Sequence, residues 1–217
     1  MSLTLYAHPF SAYCWKVLIA LYEIEIPFDY RVVEDAAGWA ELASLWPIKK
    51  FPLLRDGNEL VAESSIIVEH LLLHHSTSAR LIPADATAAL TVRFMDRFFD
   101  NYVMTPMQKL VSDRMRPDAE RDTQGVLDAR HVLEVAYAWL DTRLARGEWA
   151  AGSEFTLADC AAAPALFYAD WVQPIGESFP RVRDYRKRVL ARPSVVRTVD
   201  EARPYRNFFP LGAPDRD

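Results

Sequence analysis

The chain has 217 residues, 51% of them hydrophobic and 25% charged, with a net charge of −5. That length and balance fit a globular protein able to bury one or two cores, and an acidic chain without a basic block argues against nucleic-acid binding as the main activity. Two cysteines, Cys14 and Cys160, build no disulfide framework and match a reducing compartment. No secretory signal is visible and no apolar run approaches membrane-spanning length, so a cytoplasmic chain that does not engage a membrane is expected.

The first apolar run, Leu3–Ala7, reads as a strand, and 12–23 as a helix with Leu18, Leu21 and Tyr22 at helical spacing. Residues 27–33 are strand-like, and 38–45 form a short Ala- and Leu-rich helix. F-P-L-L at 51–54 and E-L-V-A at 59–62 flank R-D-G-N, whose Asp-Gly step supplies the left-handed positions of a tight hairpin. Ser64 then offers a side-chain cap to a helix over 64–75. The order is β-α-β-α-β-β-α, with the first two strands parallel across their crossover helix and the last two antiparallel.

Beyond residue 84 the texture changes to helices alone, over 86–115, 119–146, 156–171, 179–191 and 194–203. Pro83, Pro117, Pro174, Pro180 and Pro193 fall near their starts and stops. F-T-L-A-D at 155–159 is a helix start: Thr156 caps, Asp159 returns the bond, and Phe155 sits where a hydrophobic staple belongs. The expected division is an α/β domain over 1–78 and an all-helical domain over 85–217, ending in a Pro- and Arg-containing tail over 204–217.

Three short segments carry chemistry. Ser11 lies where the first strand gives way to the first helix, with Cys14 one turn further on. Glu63-Ser64 sets an acceptor for an ammonium beside a helix N-terminus that favours a carboxylate, which suits an amino-acid head group, although the pair alone reads first as a plain helix cap after a strand. In K-F-P-L at 50–53, proline opens a strand, either as a tolerated edge position or as a cis turn exposing the backbone of Phe51 to an added peptide strand.

Together these segments resemble the cytosolic glutathione transferases, over essentially the whole chain: K-x-P-L at Lys50–Leu53, E-S at Glu63-Ser64 and F-T-x-A-D at Phe155–Asp159, in that order. The resemblance implies a thioredoxin-like N-terminal domain followed by an all-helical one. It implies a cis Pro52, Phe51 holding the cysteinyl backbone of glutathione, Glu63 and Ser64 its γ-glutamyl end, and Lys50 its glycyl carboxylate. F-S-A-Y-C-W-K-V at 10–17 resembles the serine-type segment of zeta-like bacterial members, which places Ser11 on their catalytic serine. The position of the hydroxyl in tyrosine-type classes is Ala7, and Tyr6 points to the opposite face of the strand. Lys49 stands where many members carry glycine.

On this reading Ser11 donates a hydrogen bond to the sulfur of glutathione and holds it as thiolate at a helix N-terminus. The thiolate then conjugates to a small apolar electrophile, or isomerises it through an adduct. Two alternatives stand beside this: a catalytically silent scaffold of the same fold, and thiol exchange through Cys14, whose S-x-x-C setting is a glutaredoxin-like pattern lacking its first cysteine. Cys14 is expected to pack, Cys160 to lie in the core, and His8 to serve as turn or pocket wall. His70 and His74 share a helical face at ligand spacing, but no carboxylate completes H-E-x-x-H, and no metal is expected. The electrophile pocket is expected from Phe10, Phe98, Tyr102, Met104, Tyr168 and Trp171, with Met107 and Phe208 as further candidates. The resemblance also implies a homodimer.

Overall fold

The computed structural model describes residues 3–76 and 81–217. The boundary expected near residue 80 lies outside the described residues.

The N-terminal half runs β1 (Leu3–Ala7), α1 (Ala12–Ile24), β2 (Asp29–Val32), α2 (Ala36–Leu45), β3 (Leu53–Asp56), β4 (Glu59–Ala62) and α3 (Ser64–His74). The sheet order is β2-β1-β3-β4, with β1 parallel to β2 and antiparallel to β3, and β3 antiparallel to β4. The parallel β1–β2 pair and the antiparallel β3–β4 pair are those expected from the element order. Every residue of β1 is buried because helices cover both faces of this central strand. The β3–β4 hairpin turns through Gly57 and Asn58, one residue past the expected Asp-Gly step: Asp56 stays in the ladder opposite Glu59, and Gly57 alone, with φ 58°, takes the left-handed conformation. Helix α2 starts two residues before the expected 38–45, because the Asp35 side chain accepts from Gly38 N–H at 2.7 Å and caps it.

One sheet face packs on α2 through Tyr6, Val33, Leu42 and Leu53, with Tyr6 Oη donating to Glu41 at 2.8 Å. Tyr6 thus turns away from the opposite face, as the strand alternation predicts. That opposite face packs on α1 and α3, and α1 in turn on the helical half, so Cys14 to Leu21 are buried without interruption. A helix enclosed on all sides reads as apolar throughout, and the one break in that pattern, Lys16, is itself 1% exposed.

The helical half comprises α4 (Ala86–Phe98), a π-helical turn (Phe99–Met104), α5 (Thr105–Arg114), α6 (Thr123–Arg143), α7 (Leu157–Val172), α8 (Pro180–Leu190) and α9 (Pro193–Ala202), followed by a 3₁₀ turn (Arg203–Phe208). The span expected as one helix over 86–115 is broken by the π turn, and Pro106 gives the reason. Proline has no N–H for the preceding turn and clashes with the carbonyl four residues back, and the wider turn relieves both. Helix α7 is buried from end to end. Its start is the expected capping box: Asp159 accepts from Thr156 N–H at 2.8 Å. Asp159 does more than cap, because it also accepts from Ala150 N–H at 3.0 Å and from Tyr185 Oη at 2.6 Å, joining the preceding loop and α8.

Candidate active site

Three chain crossings meet at one end of the sheet. Strand β1 leads into residues 8–11 and the N-terminus of α1; the segment before β3 carries Phe51 and Pro52; β4 leads into Glu63 and α3. Since Tyr6 pairs with Leu53 and Leu53 with Ala62, these three ends lie side by side.

Ser11 is the N-cap residue of α1, with extended backbone (φ −93°, ψ 121°) and no side-chain capping bond to the backbone of that helix. Its N–H donates to the His8 carbonyl at 3.0 Å, which closes the H-P-F-S turn. The hydroxyl is therefore not consumed by capping and stays beside the free N–H groups of α1, where a negative charge is favoured. Tyr168 Oη donates to the Phe10 carbonyl at 3.1 Å and packs edge-on against the Phe10 ring, which fixes the turn to α7.

Cys14 is completely buried. Burial pushes its thiol up to about 12, against opposing hydrogen bonds to the Ser11 side chain and the His8 backbone. Burial likewise pushes Cys160 up, and it is fully enclosed in α7. Neither thiol should react with a disulfide reagent in the native protein at about pH 8, and both should react once it is denatured. A colorimetric thiol titration measures this, and rapid modification of a native thiol would contradict it.

The Phe51–Pro52 peptide is cis. Phe51 is half-buried beside Trp39 (ring centroids 5.3 Å apart) and His8 (6.3 Å), while Lys50 is exposed. Lys49 holds φ 56°, a left-handed conformation that glycine adopts freely and lysine seldom does. Glu63 holds φ 71° and ψ 120°, outside the regions open to most side chains. It precedes α3 without a side-chain capping bond. Ser64 is the first residue inside α3 and not its cap, which corrects the expected helix start, and it is buried. Strain of this kind costs on the order of 1–3 kcal/mol and gathers at ligand sites.

Beneath Ser64 lies a charge cluster that sequence reading missed. Lys16 Nζ reaches Asp96 Oδ1 at 2.7 Å, both oxygens of Asp100 at 2.7 Å and Ser65 Oγ at 3.1 Å. Arg97 binds the same two carboxylates from its half-exposed position. Burial raises the Asp100 carboxyl above its ordinary value, with Lys16 pulling it back. The one available signal was a lysine inside an apolar helix, a residue seldom buried unless paired.

A cavity of about 520 Å³ opens at Ser11. Phe10, Ser11 and Ala12 form one wall, Tyr168 another, and α5 supplies Met107 and Val111 with Met115 just beyond its end. The fourth side comes from the tail: Phe208, Phe209 and Pro210 close over it. The tail is tied down, with Arg206 on Asp217 at 3.0 Å and Arg216 on Asp170 of α7. Of the six residues expected to form the pocket, Phe10 and Tyr168 line it. Trp171 stands behind Phe10 against Phe209, and Met104 is buried in the helical core. Phe98 and Tyr102 face a separate groove with Phe94 and Trp139 between α4 and α6.

Residues 5–79 match the glutathione S-transferase N-terminal domain, and residues 103–193 the glutathione S-transferase C-terminal domain. Glutathione S-transferase GstB of Escherichia coli is 26% identical, over 91% of this chain and 97% of its own. Glutathione S-transferase 3 of Zea mays is 30% identical, over 91% of this chain and 93% of its own. Among solved structures, a glutathione S-transferase of Methylobacillus flagellatus with glutathione bound superposes with a TM-score of 0.84 at 27% identity, covering 91% of this chain and 98% of that one. With the two halves matched by the two domains and similar proteins aligned along nearly their full length, the chain belongs to the glutathione S-transferase family of enzymes.

Proposed function

We propose that the chain binds glutathione along the end of the sheet formed by β1, β3 and β4 and holds its sulfur as thiolate through Ser11. The observation that carries this is an N-cap serine whose hydroxyl makes no capping bond and which lines a largely apolar cavity. From β1 to β4 is two strand spacings, about 10 Å, which an extended tripeptide of roughly 3.3 Å per residue spans. The backbone of Phe51 pairs with the central cysteinyl residue. Glu63 takes the γ-glutamyl ammonium, the N–H groups at Ser64 take its carboxylate, and Lys50 reaches the glycyl carboxylate.

A free thiol has a pKa of about 8.5 and is mostly protonated at neutral pH. A hydroxyl donor and a helix N-terminus both favour the charged form. Once the thiol proton has left to solvent, a sulfur lone pair forms the new carbon–sulfur bond to an electrophile lodged against Met107, Val111 and Tyr168. The leaving group departs with its bonding pair, or, in an isomerisation, the adduct later expels the thiolate. Cys14, protonated and buried, takes no part in exchange.

The proposal extends to a cytoplasmic homodimer, supported by two unpaired cysteines and by exposed Phe94, Tyr102, Val135 and Trp139 in the groove between α4 and α6. Among the described residues, no helix is long and apolar enough to cross a membrane. Calorimetric titration of the purified chain with glutathione tests the reading. One site per chain is expected, and no heat of binding would leave a silent scaffold in its place.

A further inference from the structure

At the opposite end of the sheet from Ser11, three side chains converge from parts of the chain that are distant in sequence. Asp56 closes β3 beside the hairpin turn, His70 lies in the last turns of α3, and His75 follows the end of that helix. The Nε2 atoms of His70 and His75 lie 3.0 and 2.6 Å from the same carboxylate oxygen, Asp56 Oδ2. The three side chains expose 8% (His70), 11% (Asp56) and 24% (His75) of their surface, and one ligand atom from each lies within 4.8 Å of the other two. Residues five apart do not share a face of a regular helix. His75 comes round because it has left the helix, with φ −128°.

A second observation points to a ligand. The other carboxylate oxygen, Asp56 Oδ1, is buried and has no hydrogen-bond partner among the described residues. A pair of His–Asp hydrogen bonds accounts for Oδ2 and leaves Oδ1 unexplained, and buried carboxylate oxygens are rarely left so. A cation gripped by both carboxylate oxygens and by the two imidazoles would engage Oδ1 as well as Oδ2. We infer that Asp56, His70 and His75 form a site for a divalent transition ion of the zinc class. Two imidazoles, one carboxylate and an open position make up a zinc-type donor set. Bonds of about 2.0–2.1 Å in tetrahedral geometry set ligand atoms about 3.3 Å apart. The 3.0 and 2.6 Å contacts therefore open by about 0.3 and about 0.7 Å to admit the ion.

The site is independent of the glutathione reading. Along α3, His70 lies about 9 Å and His75 about 16 Å from Ser64. Its role is to clamp the β3–β4 hairpin to the end of α3.

The test uses the untagged full chain, freed of metal with a chelator and titrated with zinc by calorimetry in the absence of glutathione. One zinc per chain is expected, with a rise in melting temperature that a chelator reverses. Cobalt in place of zinc should give the visible bands of a four-coordinate site. Asp56→Asn and His70→Gln should each weaken zinc binding at least a hundredfold, whereas His74→Gln, beside the site, should not. Circular dichroism and glutathione titration check that the variants remain folded. If either fails to fold, His75→Gln, at the most exposed ligand, serves with the same expected loss. Absence of zinc binding by the wild type, or binding that survives these substitutions, would overturn the assignment.

Discussion

Replacing Ser11 with alanine should lower turnover of glutathione with an apolar electrophile by about ten- to a hundredfold. A hydrogen bond to a charged partner contributes about 1.5–3 kcal/mol, and each 1.36 kcal/mol is one decade in the thiolate population or the rate. Activity should not vanish, because the N-terminus of α1 still faces the sulfur and Glu63, Ser64 and Phe51 still hold the peptide. The Michaelis constant for glutathione should change little, since the lost bond acts on the sulfur alone. Cys14→Ala should leave turnover within about twofold, because a dry, protonated thiol offers no nucleophile. Steady-state kinetics of the two variants beside wild type decide the matter. A loss confined to Cys14→Ala would transfer the chemistry to thiol exchange.

Lys16→Met should destabilise the protein by about 3–5 kcal/mol, the usual consequence of removing one partner from a buried ion pair. Methionine keeps the length of the side chain, so packing changes little while Asp96 and Asp100 lose their buried cation. At about 2–4 °C per kcal/mol for a chain of this size, the melting temperature should fall by roughly 6–20 °C. The penalty should shrink in acid. Burial already raises the Asp100 carboxyl, and loss of Lys16 raises it further. The folded variant then binds more protons than the unfolded chain, so its stability rises as pH falls through the carboxylate range. Adding Asp100→Asn should recover part of the loss, since it removes a buried carboxylate left with the half-exposed Arg97 alone. Thermal melts of the single and double variants across that pH range measure each of these effects.

The features that were legible in the sequence are those fixed by local chemistry. A strand-to-helix break with serine at the junction, a hairpin turning at Gly57 and the Thr156–Asp159 capping box each act within a few residues. Strand order then brought Ser11, Phe51, Pro52, Glu63 and Ser64 to one end of the sheet. What escaped depended on distant partners or on a change of helical phase. The π turn at Phe99–Met104 inserts one residue, which rotates α5 by about 100° relative to α4. Helical spacing carried from Phe94 through Phe98 to Tyr102 therefore points into a different groove from Met107 and Val111. Phe209 reached the cavity through the folding back of a tail whose irregular backbone carries no periodicity. His70 and His74 drew attention by helical spacing, yet Asp56 meets His70 and His75, a pairing set by where α3 ends. Lys16 offered only its oddity in an apolar helix, and its partners lie about eighty residues away in α4 and the π turn.

The central claim is that Ser11 stabilises a glutathione thiolate, and ultraviolet absorbance of the bound thiolate tests it most directly. Wild type and Ser11→Ala are saturated with glutathione and titrated with pH, with free glutathione as reference. In wild type, bound glutathione should ionise at least one unit below the free thiol value of about 8.5, and in Ser11→Ala it should return most of the way. Ionisation at the free value in wild type, or a lowered value that survives Ser11→Ala, would contradict the account.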